Sequence, residues 1–160
     1  MADWTHRKAI GDQHEQHVMD ELERRGWTVH PFGQGTYPPA VQAALGLTDS
    51  PLRQLPDMIA ARGAQVVCID AKTSLGSTDS HRFSVSRKSL LAGLQFTAIG
   101  VSVPLYYVFG DLRVLTPAEV ASYSGYGHQH PGGSYCLVST VRAHRFDDVF
   151  GAGDGLRQAG

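Results

Sequence analysis

The stretch from Asp57 to Lys72 constrains this chain more than any other. Asp57 to Ala61 and Val66 to Lys72 are short apolar runs separated by Arg62-Gly63-Ala64-Gln65, a segment with turn chemistry. Together they predict a hairpin. The runs are apolar at successive rather than alternate positions, so both faces of the sheet must be covered. A turn centred on Gly63 and Ala64 places Ala61 opposite Val66 and, carried outward, Asp57 opposite Asp70. Their Cβ atoms would then lie about 5 Å apart on one face. Lys72 follows Asp70 by two residues and projects from that same face.

Two carboxylates set directly opposite each other destabilise a sheet unless something compensates them. A divalent cation held by both would do so. A small set of oxygen ligands suits Mg²⁺, with Mn²⁺ as a substitute, because Mg²⁺ keeps several waters and takes further ligands from phosphate groups. Such an ion polarises a phosphoryl oxygen and makes water more acidic, which is the chemistry of phosphodiester hydrolysis. Lys72 would orient the water or offset transition-state charge. On charge alone, a surface salt bridge of Lys72 with an acidic neighbour at a fraying hairpin end explains these residues equally well. The apolar run before Asp70 and the strand-compatible Pro56 before Asp57 favour the site.

Around the hairpin the order of elements is regular. A helix is expected from Thr5, as N-cap, to about Arg25, closed by Gly26. Ile10, Gly11, Glu15, Val18, Met19 and Leu22 form its inward stripe, with Glu15 as the one charged member. Trp27 to Phe32 reads as a strand. Residues 33–56 are a long insertion with a short helix from Pro39 to Leu45, and Thr73 to Arg82 reads as a loop. Ser86 caps a helix from Arg87 to Ile99 with Leu90, Leu91, Leu94 and Ala98 inward, and Pro104 to Gly110 is a further strand. Thr116-Pro117 opens a small helix, Ser122 to Gly133 is a loop, and Tyr135 to Val141 is a last strand. The tail after Gly151 is expected to fray. The fold class is therefore α/β: a mixed sheet flanked by helices, with an αβββαβ core plus a small C-terminal helix and strand, in one domain spanning residues 1–160.

Pro56-Asp57, twelve intervening residues, then Asp70-Ala71-Lys72, placed on adjacent predicted strands after one helix and before another, resembles the PD-(D/E)xK nuclease signature. Gly11-Asp12-Gln13-His14-Glu15 and Arg24-Arg25-Gly26-Trp27-Thr28-Val29 resemble the archaeal Holliday-junction-resolvase branch of that superfamily. The resemblance spans Ala9 to Gly110. It implies a restriction-endonuclease-like fold and a metal-dependent DNA nuclease, with an endonuclease favoured. Asp57 and Asp70 would be metal ligands, the Ala71 carbonyl an additional one, Lys72 the catalytic lysine, and Glu15 a fourth member acting from the first helix. The chain departs from the pattern in two ways. The second acid is aspartate, and the insertion is longer than in the small resolvases. The rival reading is a nuclease fold retained as a non-catalytic DNA-binding or assembly module.

Arg82, Arg87, Lys88 and Arg53 are the basic residues placed to touch DNA, although a solvated charged face explains the first three as well, and contact with a second subunit equally explains Arg53, with Tyr37. His14 and His17, three apart on the first helix, read as surface histidines, His128, His130 and His144 fit no standard metal spacing, and Gln95, Asp147 and Asp148 read as solvent-facing. The formal net charge of -1 argues against a passive phosphate-binding protein but suits an enzyme that gathers carboxylates around a cation. Cys68 and Cys136 lie in apolar runs and read as reduced, buried thiols. No stretch reaches the roughly 20 apolar residues of a membrane span, and Met1 to Lys8 has no signal-peptide core. The expectation is a soluble cytoplasmic protein whose partner is DNA. A homodimer would serve where two strands are cut, with the insertion as its interface.

Overall fold

The structure is a computed structural model that describes residues 3–76, 79–99, 103–124, 129–130 and 133–153. Helix α1 spans Trp4–Glu23, and strand β1 spans Thr28–Pro31. Helix α2 (Pro39–Gly46) lies in the insertion, followed by a 3-10 turn over Pro51–Gln54. Strands β2 (Met58–Arg62), β3 (Gln65–Lys72) and β4 (Arg82–Ser86) lead into helix α3 (Arg87–Ala98). Then come β5 (Leu105–Phe109), β6 (Arg113–Leu115), α4 (Pro117–Tyr123), β7 (Gln129–His130), β8 (Gly133–Ser139), β9 (His144–Arg145) and α5 (Phe146–Phe150).

The hairpin folds in the expected register, with Arg62 opposite Gln65, Ala61 opposite Val66 and Met58 opposite Ile69. Gly63 has φ of 58° and Ala64 is not left-handed, the type II′ pattern that matches strand twist. The main sheet runs β1-β2-β3-β5-β6-β9. Among the described residues only β3 and β5 are parallel, because α3 supplies the crossover between them. β4 pairs with β8 in a second sheet.

Each face of the main sheet is covered by its own core. Val18 and Leu22 of α1 pack with Met58, Val67, Ile69, Val108 and Phe150 on one side. Phe83, Leu90, Tyr107, Phe109, Val120 and Val138 fill the other. Each such side chain contributes about 1.5–3 kcal/mol through burial. Two-sided cover is what the unbroken apolar runs demanded.

Several expectations shift. The inward face of α1 is centred on His14, Val18 and Leu22, and Ile10 is 43% exposed. Asp3, rather than Thr5, caps α1 by accepting from the Thr5 N–H. In α3 the buried residues are Ser89, Leu90, Ala92 and Gly93, leaving Leu91 59% exposed. The helix turns its small residues inward because Gly93 lies against Tyr107 and Pro117, where a larger residue would collide. Arg82 belongs to β4, and β6, β9 and α5 are elements that periodicity did not reveal. The expected loop after Ser122 contains β7, while residues 125–128, 131 and 132 lie outside the described residues, as does the expected frayed tail from 154 onward. No helix among the described residues is long and apolar enough to cross a membrane.

Candidate active site

Strand alternation sets the site. Val67 and Ile69 of β3 face the α1 core, so Asp70 and Lys72 face α3. Met58 and Ala60 likewise face α1, which turns Asp57 toward α3. The ladder ends at Met58 opposite Ile69. One step further, the Asp57 N–H donates to the Ile69 carbonyl at 2.9 Å, and the Asp57 carbonyl accepts from the Phe32 N–H at 2.8 Å. Asp57 Oδ2 then accepts from the Ala71 N–H at 2.7 Å. The carboxylate thus takes the place of a ladder bond and is fixed beside Asp70.

Lys72 closes the group. Its Nζ lies 3.0 Å from Asp70 Oδ1 and 3.1 Å from Oδ2. It also donates to the hydroxyl of Ser89 and sits 5.1 Å from the centroid of the Tyr107 ring. Tyr107 lies opposite Asp70 in the parallel β3–β5 register, and its hydroxyl donates to the Ser89 carbonyl at 3.1 Å. The side chains of Lys72 and Asp70 are only 19% and 13% exposed, so this is not a fraying surface pair.

The electrostatics are those of an under-compensated acid pair. Burial pushes the Asp57 carboxyl up to about 8, aided by the charges of Asp70 and Glu15, while the Ala71 N–H and Lys72 oppose the rise. Burial also raises Asp70, against the charge and hydrogen bond of Lys72 and a hydrogen bond from Asp57. One ammonium does not balance two buried carboxylates.

Glu15 stands apart from this group. Its helix packs on the opposite face of the sheet, yet its carboxyl is raised by burial and then by the charges of Asp12 and Asp70. Among the described residues, no three His, Cys, Asp or Glu side chains converge as a ready metal cage. The Asp57–Asp70 pair alone still fits Mg²⁺, which takes one or two carboxylates and completes its shell with water and phosphate.

Of the basic residues expected near DNA, Arg87 and Lys88 are exposed on the first turn of α3, next to Ser89. Arg82 is exposed on β4, and Arg53 lies in the 3-10 turn of the insertion. Sequence reasoning missed Ser89 and Tyr107, because their role depends on the α3 crossover. It also placed His14 on the surface. His14 is 8% exposed, and its Nε2 is 3.0 Å from the Val108 carbonyl, to which it donates. The signal was available: His14 lies four residues before Val18 and eight before Leu22 on one stripe. Asp147, expected to be solvated, is bound by Arg25, with Nη2 to Oδ1 at 2.6 Å. Cys68 is buried and Cys136 half-buried, both as free thiols.

A mixed sheet in which β3, carrying Asp70 and Lys72, runs parallel to β5 and antiparallel to β2, with helices on both faces, is a restriction-endonuclease-like fold. The chain resembles the solved structure of Hjc from Archaeoglobus fulgidus, a Holliday junction resolvase from an archaeal hyperthermophile. The TM-score is 0.57 at 14% identity, over 88% of this chain and 100% of that one. It also matches D212, a nuclease from a fusselovirus, with a TM-score of 0.48 at 12% identity over 92% of this chain and 94% of that one. No protein-family model matches the sequence, and no curated protein matches it.

Proposed function

We propose that this chain is a metal-dependent deoxyribonuclease, an endonuclease that hydrolyses DNA phosphodiester bonds. The observation that carries this reading is the meeting of Asp57, Asp70 and Lys72 in one partly buried group on the α3 face. Asp57 and Asp70 would hold Mg²⁺ or Mn²⁺, with the Ala71 carbonyl as a further ligand. The bound ion would supply Lewis-acid activation of the phosphoryl group.

The chain's own residues do the rest. The Ala71 N–H holds the Asp57 carboxylate in place. Ser89 and the Tyr107 ring fix the Lys72 ammonium, so it needs little reorganisation to stabilise the charge that builds on the phosphoryl oxygens. Arg87 and Lys88 flank that point from the first turn of α3, where a strand entering the site would meet them. Glu15 would orient water from the far side of the sheet end, which agrees with its electrostatic coupling to Asp57 and Asp70. Fold likeness to a Holliday junction resolvase makes branched DNA a natural member of the substrate panel.

The test incubates the protein with duplex, single-stranded, flapped and four-way DNA, in Mg²⁺ and in EDTA. Cleavage in Mg²⁺ that disappears in EDTA and in Asp70→Ala is expected. Cleavage that persists in either case would end the reading.

A further inference from the structure

We infer that the cavity between the insertion and α3 is an anion site that holds a phosphodiester phosphate of the bound strand, next to the phosphate being cut. The cavity has a volume of about 330 Å³ and is lined by Arg53, Lys88, Asp49, Ser50 and Gln95, with Leu91 of α3 as apolar wall. Arg53 is the telling residue. Its Nη1 donates to the Thr48 carbonyl at 3.0 Å, while its Nε is buried with no hydrogen-bond partner. Neither Arg53 nor Lys88 forms an ion pair among the described residues. A guanidinium that lines a cavity and gives one hydrogen bond among the described residues, Nη1 to the Thr48 carbonyl, keeps further donors for an oxyanion. Arginine presents donors in a planar fork that matches phosphate, and Lys88 adds a second positive charge from α3. Asp49 is exposed and offsets only one of the two.

Position identifies the source of the phosphate, and this step rests on the nuclease reading. Ala92 in the cavity wall follows Ser89, the partner of Lys72, by three residues on α3. That is roughly 4.5 Å along the helix. On the other side Gln54 leads through Leu55 and Pro56 directly into Asp57. Successive phosphates of one strand rise about 3.4 Å along a duplex axis and lie farther apart through space. Lys88 precedes Ser89, the partner of Lys72, on α3, so a strand lying across Lys72 runs past Lys88 and can seat a neighbouring phosphate in the cavity.

The test is an anisotropy titration of a labelled duplex in EDTA, so that binding is read without cleavage, between about 50 and 200 mM salt. The proteins are wild type, Arg53→Gln, Arg53→Lys, Lys88→Gln and, as a remote control, Arg113→Gln. Arg53→Gln and Lys88→Gln should each weaken binding about 3–10-fold and reduce the salt slope by about one. Arg53→Lys should keep the slope and lose part of the affinity, and Arg113→Gln should match wild type. Wild-type affinity and slope in both glutamine variants would overturn the site. If Arg53→Gln does not fold by circular dichroism, Lys88→Gln, altered at an exposed position, decides alone. Inorganic phosphate that binds through Arg53 more tightly than the duplex would make this a free-phosphate site and overturn the strand assignment. A wild type that cuts no DNA, yet loses duplex affinity in these variants, would end the nuclease reading and leave the phosphate site supported.

Discussion

Asp57 and Asp70 concentrate more negative charge than Lys72 offsets, and this has a consequence for stability without metal. Both carboxyls are raised in the folded state above the ordinary unfolded value of roughly 4. The folded protein therefore holds protons that the unfolded chain would release. The associated stability is fully present below the unfolded value and is lost as pH rises through the folded one, which for Asp57 is about 8. Urea unfolding in EDTA should show a lower midpoint at pH 8.5 than at pH 6, and Asp57→Asn should flatten that difference. A wild-type midpoint that rises across this range would contradict the assignment. Mg²⁺ added at pH 8.5 should raise the wild-type midpoint, since an ion that binds only the folded pair stabilises it by mass action. Ser89 offers a second test at this scale. Its hydroxyl positions Lys72, while its carbonyl keeps the Tyr107 bond whatever its side chain is. Ser89→Ala should lower kcat about 10-fold with KM nearly unchanged and alter stability by under about 1.5 kcal/mol. An equal rise in KM would place Ser89 in substrate binding instead.

At the scale of elements, α3 brings Ser89 to the site because Gly93 lets the helix approach β5. A Cβ at Gly93 would collide with the Tyr107 hydroxyl and lie 3.0 Å from Pro117 Cγ. Helix propensity alone would make Gly93→Ala stabilising by about 1 kcal/mol. Overpacking should win and make it destabilising by about 1–3 kcal/mol, as read from the urea midpoint. Helix α5 is tied to α1 by Arg25, whose guanidinium binds Asp147, the Gly151 carbonyl and Glu21 and lies 4.7 Å from the Phe146 ring centroid. Arg25→Ala should lower the urea midpoint, because the guanidinium is only 7% exposed and loses several charge-assisted, part-buried bonds at once. This scale also shows why some of the structure was unreadable in advance. The Arg24-Arg25-Gly26 sequence signalled the end of α1, and Gly26 does adopt φ of 83° there. Nothing near Arg25 in sequence reveals a partner more than a hundred residues later. Strands β6 and β9 are three and two residues long, too short for any period to register.

For the molecule as a whole, the central sheet was legible because two consecutive apolar runs flank one turn, and that local geometry fixed the register down to Met58 and Ile69. The site's lysine and acids were legible for the same reason, since all three lie on one hairpin. Its walls were not. Tyr107 reaches Asp70 through a parallel pairing that depends on α3 crossing the sheet, and Arg53 reaches the α3 groove through the fold of the insertion. Glu15 was placed on the buried stripe by spacing, but only the fold reveals that α1 runs on the face opposite Asp57 and Asp70. The central claim is that one hairpin carries a metal-requiring hydrolytic site. Its most direct test is the rate of DNA scission as Mg²⁺ is raised from zero, for wild type and Asp70→Asn. Saturable activation of wild type, with a loss of at least about 100-fold in the variant, is the expected result. Equal rates for the two proteins, or scission that does not depend on Mg²⁺, would contradict it.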